Sequence, residues 1–282
     1  MTTKFMRVVK KYLINKPASW MPSNTYVRYI MIISGFRLKT YSKFLPGKSS
    51  TFFIHQVTHS KHKIFFQSAI RINRFIKGFE HAGRRMWNRY KIDELLVGIE
   101  PRTIIDIGAN IGEFSYYAGK KYLGRVKILA FDPDPITKQC FENNLAEIDA
   151  TFNLVALSNK SGEEDFYLKT DSADSSLHKP NGVSIKIKTK IVTLDCFFKN
   201  LELQQPVLLK MDAEGHEPEV LRGGVVTLKH INWVSIDAGL ERFGKSTSTE
   251  VARILIEQGF REVNISDTHL VTGKNNFLAS SF

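Results

Sequence analysis

From residue 101 onward, short apolar runs alternate with segments whose apolar residues recur every three or four positions. The runs are rich in β-branched and aromatic residues, which is typical of buried strands. They occupy residues 103–107, 126–131, 151–157, 207–211 and 233–237. The segments between them, such as residues 113–122, have helical spacing. This alternation predicts an α/β fold, in which right-handed βαβ units form a doubly wound, mostly parallel sheet.

Three features depart from simple alternation. Residues 166–169 and 183–192 both have strand character, and the second alternates apolar and polar side chains, so we expect one wet face. Residues 261–265 and 276–280 predict a terminal antiparallel hairpin. Helices are expected over residues 218–230 and after a capping box formed by Thr247 and Glu250.

The chain before residue 90 has a different pattern. Within residues 62–90, apolar side chains recur at steps of three and four, which predicts a helix with one apolar face. These side chains are Phe65, Ala69, Ile72, Ile76 and Phe79, and the basic residues around them are Arg71, Arg74, Lys77, Arg84, Arg85 and Arg89. Two interpretations stay open. The helix contacts anionic lipid, nucleic acid or an acidic acceptor, or it packs its apolar face on the next domain.

Charge divides the chain at about the same place. The net charge is +12, yet residues 1–100 hold 19 of the 40 Lys and Arg residues and four of the 28 Asp and Glu residues. We therefore predict a basic, mainly helical N-terminal region over residues 1–90 and a near-neutral α/β domain over residues 91–282.

The apolar run at residues 29–36 is shorter than the roughly 20 residues that span a bilayer. With two separated cysteines, this favours a cytoplasmic protein.

A glycine-containing turn carries the strongest chemical signal. Asp106, Gly108, Asn110 and Gly112 lie between a predicted strand and a predicted helix, where α/β sheets bind ligands. Asn110 and Glu113 occupy positions that are glycine in the dinucleotide fingerprint, and no P-loop lysine follows. A turn that serves packing alone remains an alternative.

Asp132 strengthens the ligand interpretation. It ends the second strand, 24 residues after Gly108, and an acid at that strand tip accepts hydrogen bonds from both hydroxyls of a ribose. The pair indicates a ligand that contains a nucleoside. The alternative is a solvated acid that begins a turn before Pro133.

Several separated blocks together resemble one family. They are DIGANIGEF at residues 106–114, ALSN at 156–159 with Gly162, DSSL at 174–177, and LKMDAEGHE at 209–217 followed by VLRG at 220–223. In order and spacing they resemble the FkbM-type family of class I methyltransferases, which depend on S-adenosylmethionine, over roughly residues 90–270. The resemblance implies a Rossmann-like fold for the domain over residues 91–282.

The resemblance also implies a role for individual residues. The turn would hold the methionine part of the cofactor, Asp106 would steady the turn or meet the amino group, and Asp132 would bind the ribose. Asp132 stands where glutamate is common in the family. Ala156 and Leu157, at the tip of the third strand, would flank the adenine. The implied cofactor-binding residues are Asp106, Gly108, Ala109, Asn110, Gly112, Phe114, Asp132, Pro133, Ala156 and Leu157.

Three residues after the fourth strand are the catalytic candidates. His216 has the ordinary pKa best suited to removing a proton from a hydroxyl, and Asp212 or Glu214 could act instead or orient it. Alternatively, Asp212 is structural, Glu214 caps the helix that begins at Pro218, and His216 is an exposed turn residue. Carboxylates here could also hold a divalent metal, but no ligand spacing compels one, so we predict no metal site.

The resemblance implies an acceptor with a free hydroxyl, such as a glycan or a related sugar-containing small molecule. Ser175 and Ser176 would lie beside it. A lipid-linked acceptor would fit peripheral contact with the inner surface of the membrane. Two other functions stay open: a methyltransferase acting on RNA, for which the expected motifs are missing, and a cofactor-binding scaffold without catalysis. The oligomeric state is left open.

Overall fold

The computed structural model describes residues 23–34, 38–44, 51–169, 175–178 and 184–275. Its N-terminal part combines a small antiparallel sheet, of strand order β1-β2-β3, with short helices. In chain order these elements are α1 (Ser23–Ser34), β1 (Lys39–Phe44), β2 (Thr51–His59), β3 (His62–Phe66), a 3₁₀ helix (Ala69–Phe75), α2 (Phe79–Arg89) and α3 (Ile92–Leu96).

The prediction of one helix over residues 62–90 is wrong. Three elements share this segment, because β3 pairs with β2 and Gly78 breaks the helical path with a φ of 89°. The apolar residues are nevertheless buried. Ile72 and Phe79 pack in one cluster with Ala109 and Ile111 of the following domain. The apolar side chains therefore pack on the domain, and contact of the basic residues with lipid, nucleic acid or an acidic acceptor stays a prediction.

The domain contains a seven-stranded sheet of order β12-β13-β11-β10-β4-β5-β6. Strands β4, β5, β6, β10 and β11 are parallel, and β12 and β13 form an antiparallel hairpin on β11. The elements are β4 (Thr103–Ile107), α4 (Glu113–Lys121), β5 (Lys127–Phe131), α5 (Pro135–Asn144), β6 (Ala150–Asn153), β7 (Ala156–Leu157), β8 (Gly162–Leu168), β9 (Ile185–Val192), α6 (Leu194–Phe198), β10 (Val207–Asp212), α7 (Glu217–Arg222), a 3₁₀ helix (Thr227–His230), β11 (Trp233–Asp237), α8 (Ser248–Glu257), β12 (Phe260–Ile265) and β13 (Leu270–Asn275).

This sheet confirms the predicted Rossmann-like α/β fold. Alternate residues of its strands enter separate cores on its two faces: Ile105 packs with residues of α7 and α8, whereas Ile104 packs with residues of α2 and α4. Both faces are covered by helices, as the continuous apolar runs require.

Three further predictions differ from the structure. The third strand was expected over residues 151–157, but β6 ends at Asn153 and β7 joins a separate sheet of order β7-β9-β8. The helix expected over residues 218–230 ends at Arg222, and a separate 3₁₀ helix follows at Thr227–His230. Instead of capping α8, the Thr247 hydroxyl donates to Glu217 Oε2 at 2.8 Å.

The terminal hairpin is present with a different second strand. A turn at residues 266–269 leads directly into β13, so the chain pairs earlier than expected. The predicted strand over residues 276–280 lies outside the described residues. Across the described part of the chain, no helix has both the length and the apolar character needed to cross a bilayer.

Helix α2 attaches the N-terminal part to the domain through a close contact with α4. The ring of Trp87 stacks on Phe114 with centroids 5.3 Å apart. One turn earlier, a Cβ atom on Gly83 would lie 2.2 Å from the Glu113 carbonyl oxygen. The approach of the two helices therefore requires glycine at position 83.

We expect Gly83→Ala to lower the free energy of unfolding by about 1–3 kcal/mol, the usual cost of overpacking. Denaturant titration measures this effect. Arg85→Ala, on the exposed side of α2, is the matched control and should change stability by less than about 0.5 kcal/mol. Equal midpoints for the two variants would show that α2 is not fixed by this contact.

Candidate functional site

A cavity of about 450 Å³ opens at the carboxyl ends of β4, β5 and β10. Strand β4 lies between β5 and β10, and the later strands of the sheet are added on both sides of it. Open α/β sheets bind ligands at such a topological switch point. Most of the sequence-predicted site residues line the cavity. They are Gly108, Ala109, Asn110, Phe114, Asp132, Pro133, Ala156, Leu157, Asp212, Glu214 and His216.

The glycine turn is held against both neighbouring strands. Its Gly108 and Ala109 N–H groups donate to the Phe131 carbonyl oxygen on β5, at 2.9 and 3.1 Å. On the other side, a Cβ atom on Gly108 would lie 1.8 Å from the Asp212 carbonyl oxygen. Gly108 also has a φ of 68°, a left-handed conformation that favours glycine. The turn therefore lies very close to the end of β10.

Two predicted cofactor-binding residues, Asp106 and Gly112, do not line the cavity. Asp106 is fully buried and pairs with Lys210 Nζ at 3.0 Å and with Ser115 Oγ at 2.6 Å. A Cβ atom on Gly112 would meet Leu145 Cδ1 at 2.4 Å, so Gly112 serves helix packing. Of the two roles suggested for Asp106, steadying the turn is the one that its position allows.

Lys210 is a site residue that the sequence reasoning missed. Besides Asp106, its Nζ donates to the carbonyl oxygens of Ile107 and Gly108, at 3.3 and 3.0 Å. Burial alone would lower the pKa of Lys210, but the carboxylates of Asp106 and Asp212 outweigh it and raise that pKa. A lysine inside the apolar run 207–211 was the available signal, because a buried charge requires a partner.

Asp132 lies buried at the tip of β5. Its carboxylate accepts hydrogen bonds from Asn110 N at 3.0 Å, Asp134 N at 2.9 Å and Thr137 Oγ1 at 3.1 Å. Burial raises the pKa of Asp132 to about 6, and these hydrogen bonds oppose the rise. Asp134 caps α5 by accepting a hydrogen bond from Ile136 N at 2.7 Å. Asp132 thus joins the glycine turn to the start of α5.

Apolar side chains form one end of the cavity. Phe131, Val155, Ala156 and Leu157 line it at the point where the chain passes from β6 to β7. These side chains carry no charge, which suits the faces of an aromatic ring. A buried acid, an apolar slot and a glycine turn in one cavity are the chemistry that S-adenosylmethionine requires, so the residues present fit that group.

The three catalytic candidates all line the cavity, in different surroundings. Asp212 Oδ2 accepts a hydrogen bond from the buried Tyr90 hydroxyl at 2.8 Å. Glu214 has a φ of 50°, and its carbonyl oxygen accepts from Ser176 Oγ at 3.2 Å. Contrary to the turn-residue alternative, His216 is 7% exposed. Asp212 lies nearest the glycine turn.

His216 belongs to a polar cluster that the sequence did not reveal. Its Nε2 is 2.9 Å from Ser158 Oγ, and its Nδ1 is 3.7 Å from Glu219 Oε2. Burial lowers the pKa of His216 to about 4; nearby Glu219 opposes this, while His178 and Arg242 add to it. The imidazole is therefore neutral near pH 7, and one of its nitrogens is already bound.

The N-terminal part also contributes to the cavity wall, although the family resemblance did not cover it. Gln67 Nε2 and Arg71 Nη1 both donate to Asn110 Oδ1, each at 3.2 Å. Arg74 and Arg89 line the same cavity, and Arg89 pairs with Asp237. Three of the basic residues in segment 62–90 thus face the cavity. The charge of that segment was the signal, but sequence alone did not indicate its target.

No group of three or more Asp, Glu, His or Cys side chains among the described residues is placed to hold a metal ion. Two carboxylates at this edge of the sheet are paired with a cation or a hydroxyl: Asp106 with Lys210, and Asp212 with Tyr90. The absence of a metal site stays a prediction.

Comparisons with known proteins agree with this geometry. A family model described as the methyltransferase FkbM domain matches residues 106–262. The hexuronic acid methyltransferase AglP of Haloferax volcanii is 29% identical over 49% of this chain and 56% of its own length. Methyltransferase sdnD of Sordaria araneosa is 30% identical over 43% of this chain and 59% of its own length.

The chain spans less than two thirds of these relatives' length. Among solved structures, magnesium protoporphyrin IX methyltransferase from Synechocystis PCC 6803 aligns with a TM-score of 0.40 at 10% identity, over 71% of this chain and 81% of that one. The family model covers more than half of the chain, including the glycine turn, Asp132 and the residues after β10. The chain therefore belongs to the FkbM methyltransferase family.

Proposed function

We propose that this protein is an S-adenosylmethionine-dependent O-methyltransferase that acts on a hydroxyl of a glycan or related sugar. One observation carries the proposal: the cavity that holds the glycine turn and buried Asp132 is also lined by Asp212, whose backbone carbonyl oxygen lies against Gly108. The name of the relative AglP, a hexuronic acid methyltransferase, supports a sugar acceptor. Ser176 on the cavity wall supplies a hydroxyl suited to such an acceptor.

The residues of the cavity would divide the binding of the cofactor among them. Asp132 would accept hydrogen bonds from the ribose, and the slot formed by Ala156 and Leu157 would enclose the adenine. Phe114 and the turn would contact the methionine part. When bound, the cofactor supplies an activated methyl group, and the protein's main contribution to such a displacement is positioning.

The acceptor hydroxyl must also lose a proton. We propose Asp212 as the base, because it lies beside the turn and Tyr90 engages one of its oxygens, Oδ2, which orients the carboxylate. In this assignment Oδ1 takes the proton. His216 would instead hold Ser158 and the loop after β10, since its lowered pKa makes it a weak base. We propose that this step needs no metal.

We favour a sugar over RNA as the acceptor because three basic residues of segment 62–90, Arg71, Arg74 and Arg89, line the cavity. Contact of the basic segment 62–90 with a membrane surface stays a proposal. We propose a cytoplasmic location because of the composition and the cysteine content.

A screen of acceptors with a labelled methyl donor tests the proposed reaction. We expect label in oligosaccharides, as ethers that resist mild alkali; alkali-labile label would show methylation of a carboxylate and contradict O-methylation of a hydroxyl. Pure RNA serves as the competing acceptor, and its preferential labelling would favour the alternative. Rates with and without EDTA should be equal.

Asp212→Asn tests the base. We expect kcat to fall by about 10²–10⁴-fold, the usual contribution of a general base, with the affinity for S-adenosylhomocysteine nearly unchanged. Tyr90→Phe keeps the carboxylate but removes its hydrogen bond, so a smaller loss of kcat is expected. A larger effect of His216→Gln than of Asp212→Asn on kcat would transfer the role to His216.

The affinity for S-adenosylhomocysteine should depend on pH through Asp132. Its pKa of about 6 means that the carboxyl gains a proton as the pH falls from 7 to 5 and then accepts hydrogen bonds less well. We expect Kd, measured by calorimetry, to rise over this interval. Asp132→Asn should bind more weakly at pH 7, by about 1–3 kcal/mol, and should remove most of the pH dependence. An unchanged pH profile in Asp132→Asn would exclude Asp132 as its source.

A further inference from the structure

Two charged side chains meet at the cavity beside the glycine turn, and one of them lies outside the family match. Arg71 belongs to the 3₁₀ helix Ala69–Phe75, whereas Glu113 begins α4. Arg71 Nη2 is 3.9 Å from Glu113 Oε1, and Arg74 Nη1 is 4.0 Å from the same oxygen. The Arg71 and Glu113 side chains are 11% and 4% exposed. These distances correspond to ion pairs without a hydrogen bond.

Both groups have hydrogen-bonding capacity left. Glu113 Oε1 is buried, and no donor among the described residues lies within hydrogen-bond distance of it. Arg71 donates from Nη1 to Asn110 Oδ1 at 3.2 Å, and a guanidinium has five donor hydrogens. Arg71 and Glu113 both line the cavity. A nearly buried cation and a nearly buried anion thus face one cavity without saturating each other.

An α-amino acid group has the complementary chemistry. Its carboxylate accepts paired hydrogen bonds from a guanidinium, and its ammonium donates to a carboxylate. We propose that Arg71 binds the α-carboxylate of the cofactor's methionine part and that Glu113 binds its α-ammonium. This inference rests on the proposed function, because it requires S-adenosylmethionine as the cofactor.

The other charged groups nearby are less suited to this role. Asp106 is enclosed behind the turn and already paired with Lys210, so it cannot meet the ammonium. Arg74 is more exposed, at 35%, and its closest partner is Met86 Sδ at 3.8 Å. Arg71 also contacts the turn itself through Asn110. The N-terminal part is therefore a component of the cofactor site, and its basic charge has a local function there.

Two commercially available ligands separate this role from a structural one. S-Adenosylhomocysteine carries the amino acid group, and 5′-methylthioadenosine lacks it. In calorimetry with the full chain, Arg71→Met and Glu113→Gln should weaken binding of S-adenosylhomocysteine by about 10- to 100-fold. Both should leave the affinity for 5′-methylthioadenosine within about twofold of the wild type. Arg71→Lys should recover part of the loss, since lysine keeps the charge without the paired donors.

Arg85→Ala is the matched control, because it removes one positive charge from an exposed position of the same region; it should change neither affinity. Equal losses for both ligands in Arg71→Met would show a structural effect and overturn the proposal. So would an unchanged affinity for S-adenosylhomocysteine together with a raised KM for a uronate acceptor, which would assign Arg71 to the acceptor. A wild-type chain that binds neither ligand would instead contradict the proposed function.

Discussion

The buried ion pair between Asp106 and Lys210 fixes the centre of the molecule. Asp106 lies on β4 and Lys210 on β10, in parallel register with each other. From there Lys210 reaches the carbonyl oxygens of Ile107 and Gly108, so the last residue of the strand and the first of the turn are held by one ammonium group. Desolvation makes such a pair costly on its own. Here the additional hydrogen bonds compensate the charge, and the switch point becomes rigid where the cavity begins.

Around this centre, residues of both the N-terminal part and the domain line one cavity. The domain supplies the turn, Asp132 and Asp212, while the N-terminal part supplies Gln67 and Arg71, which contact Asn110 from outside. Gly83 permits this arrangement because it lets α2 approach α4 closely. The stability of the N-terminal part and the shape of the cavity are therefore coupled, since both depend on the position of α4.

The sequence predicts the domain well because its information is local. A run such as TIIDI has to be a buried strand, and the spacing from Gly108 to Asp132 places two strand tips side by side. The predictions are wrong where pairing with residues distant in the sequence determines the secondary structure. The spacing of Phe65, Ile72 and Phe79 fits a helix, yet β3 forms because β2 is present to pair with it. Likewise, residues 151–157 look like one strand, but β7 pairs with β9, more than 30 residues later. The roles of Lys210 and Arg71 depend on tertiary contacts that no local sequence pattern predicts.

Burial of several acids near the cavity has an electrostatic consequence for ligand choice. The pKa of Asp132 and of Asp237 is raised to about 6, and that of Asp134 to about 7, in each case mainly by burial. The folded chain binds these protons more tightly than the unfolded chain, so their stabilising contribution is lost as the pH rises through about 6–7. Near neutral pH the acids are held ionised at a cost, which a positively charged ligand reduces. The proposed cofactor carries a sulfonium charge, and its product does not. The charge of the methyl donor would therefore offset part of this cost, whereas its product would not.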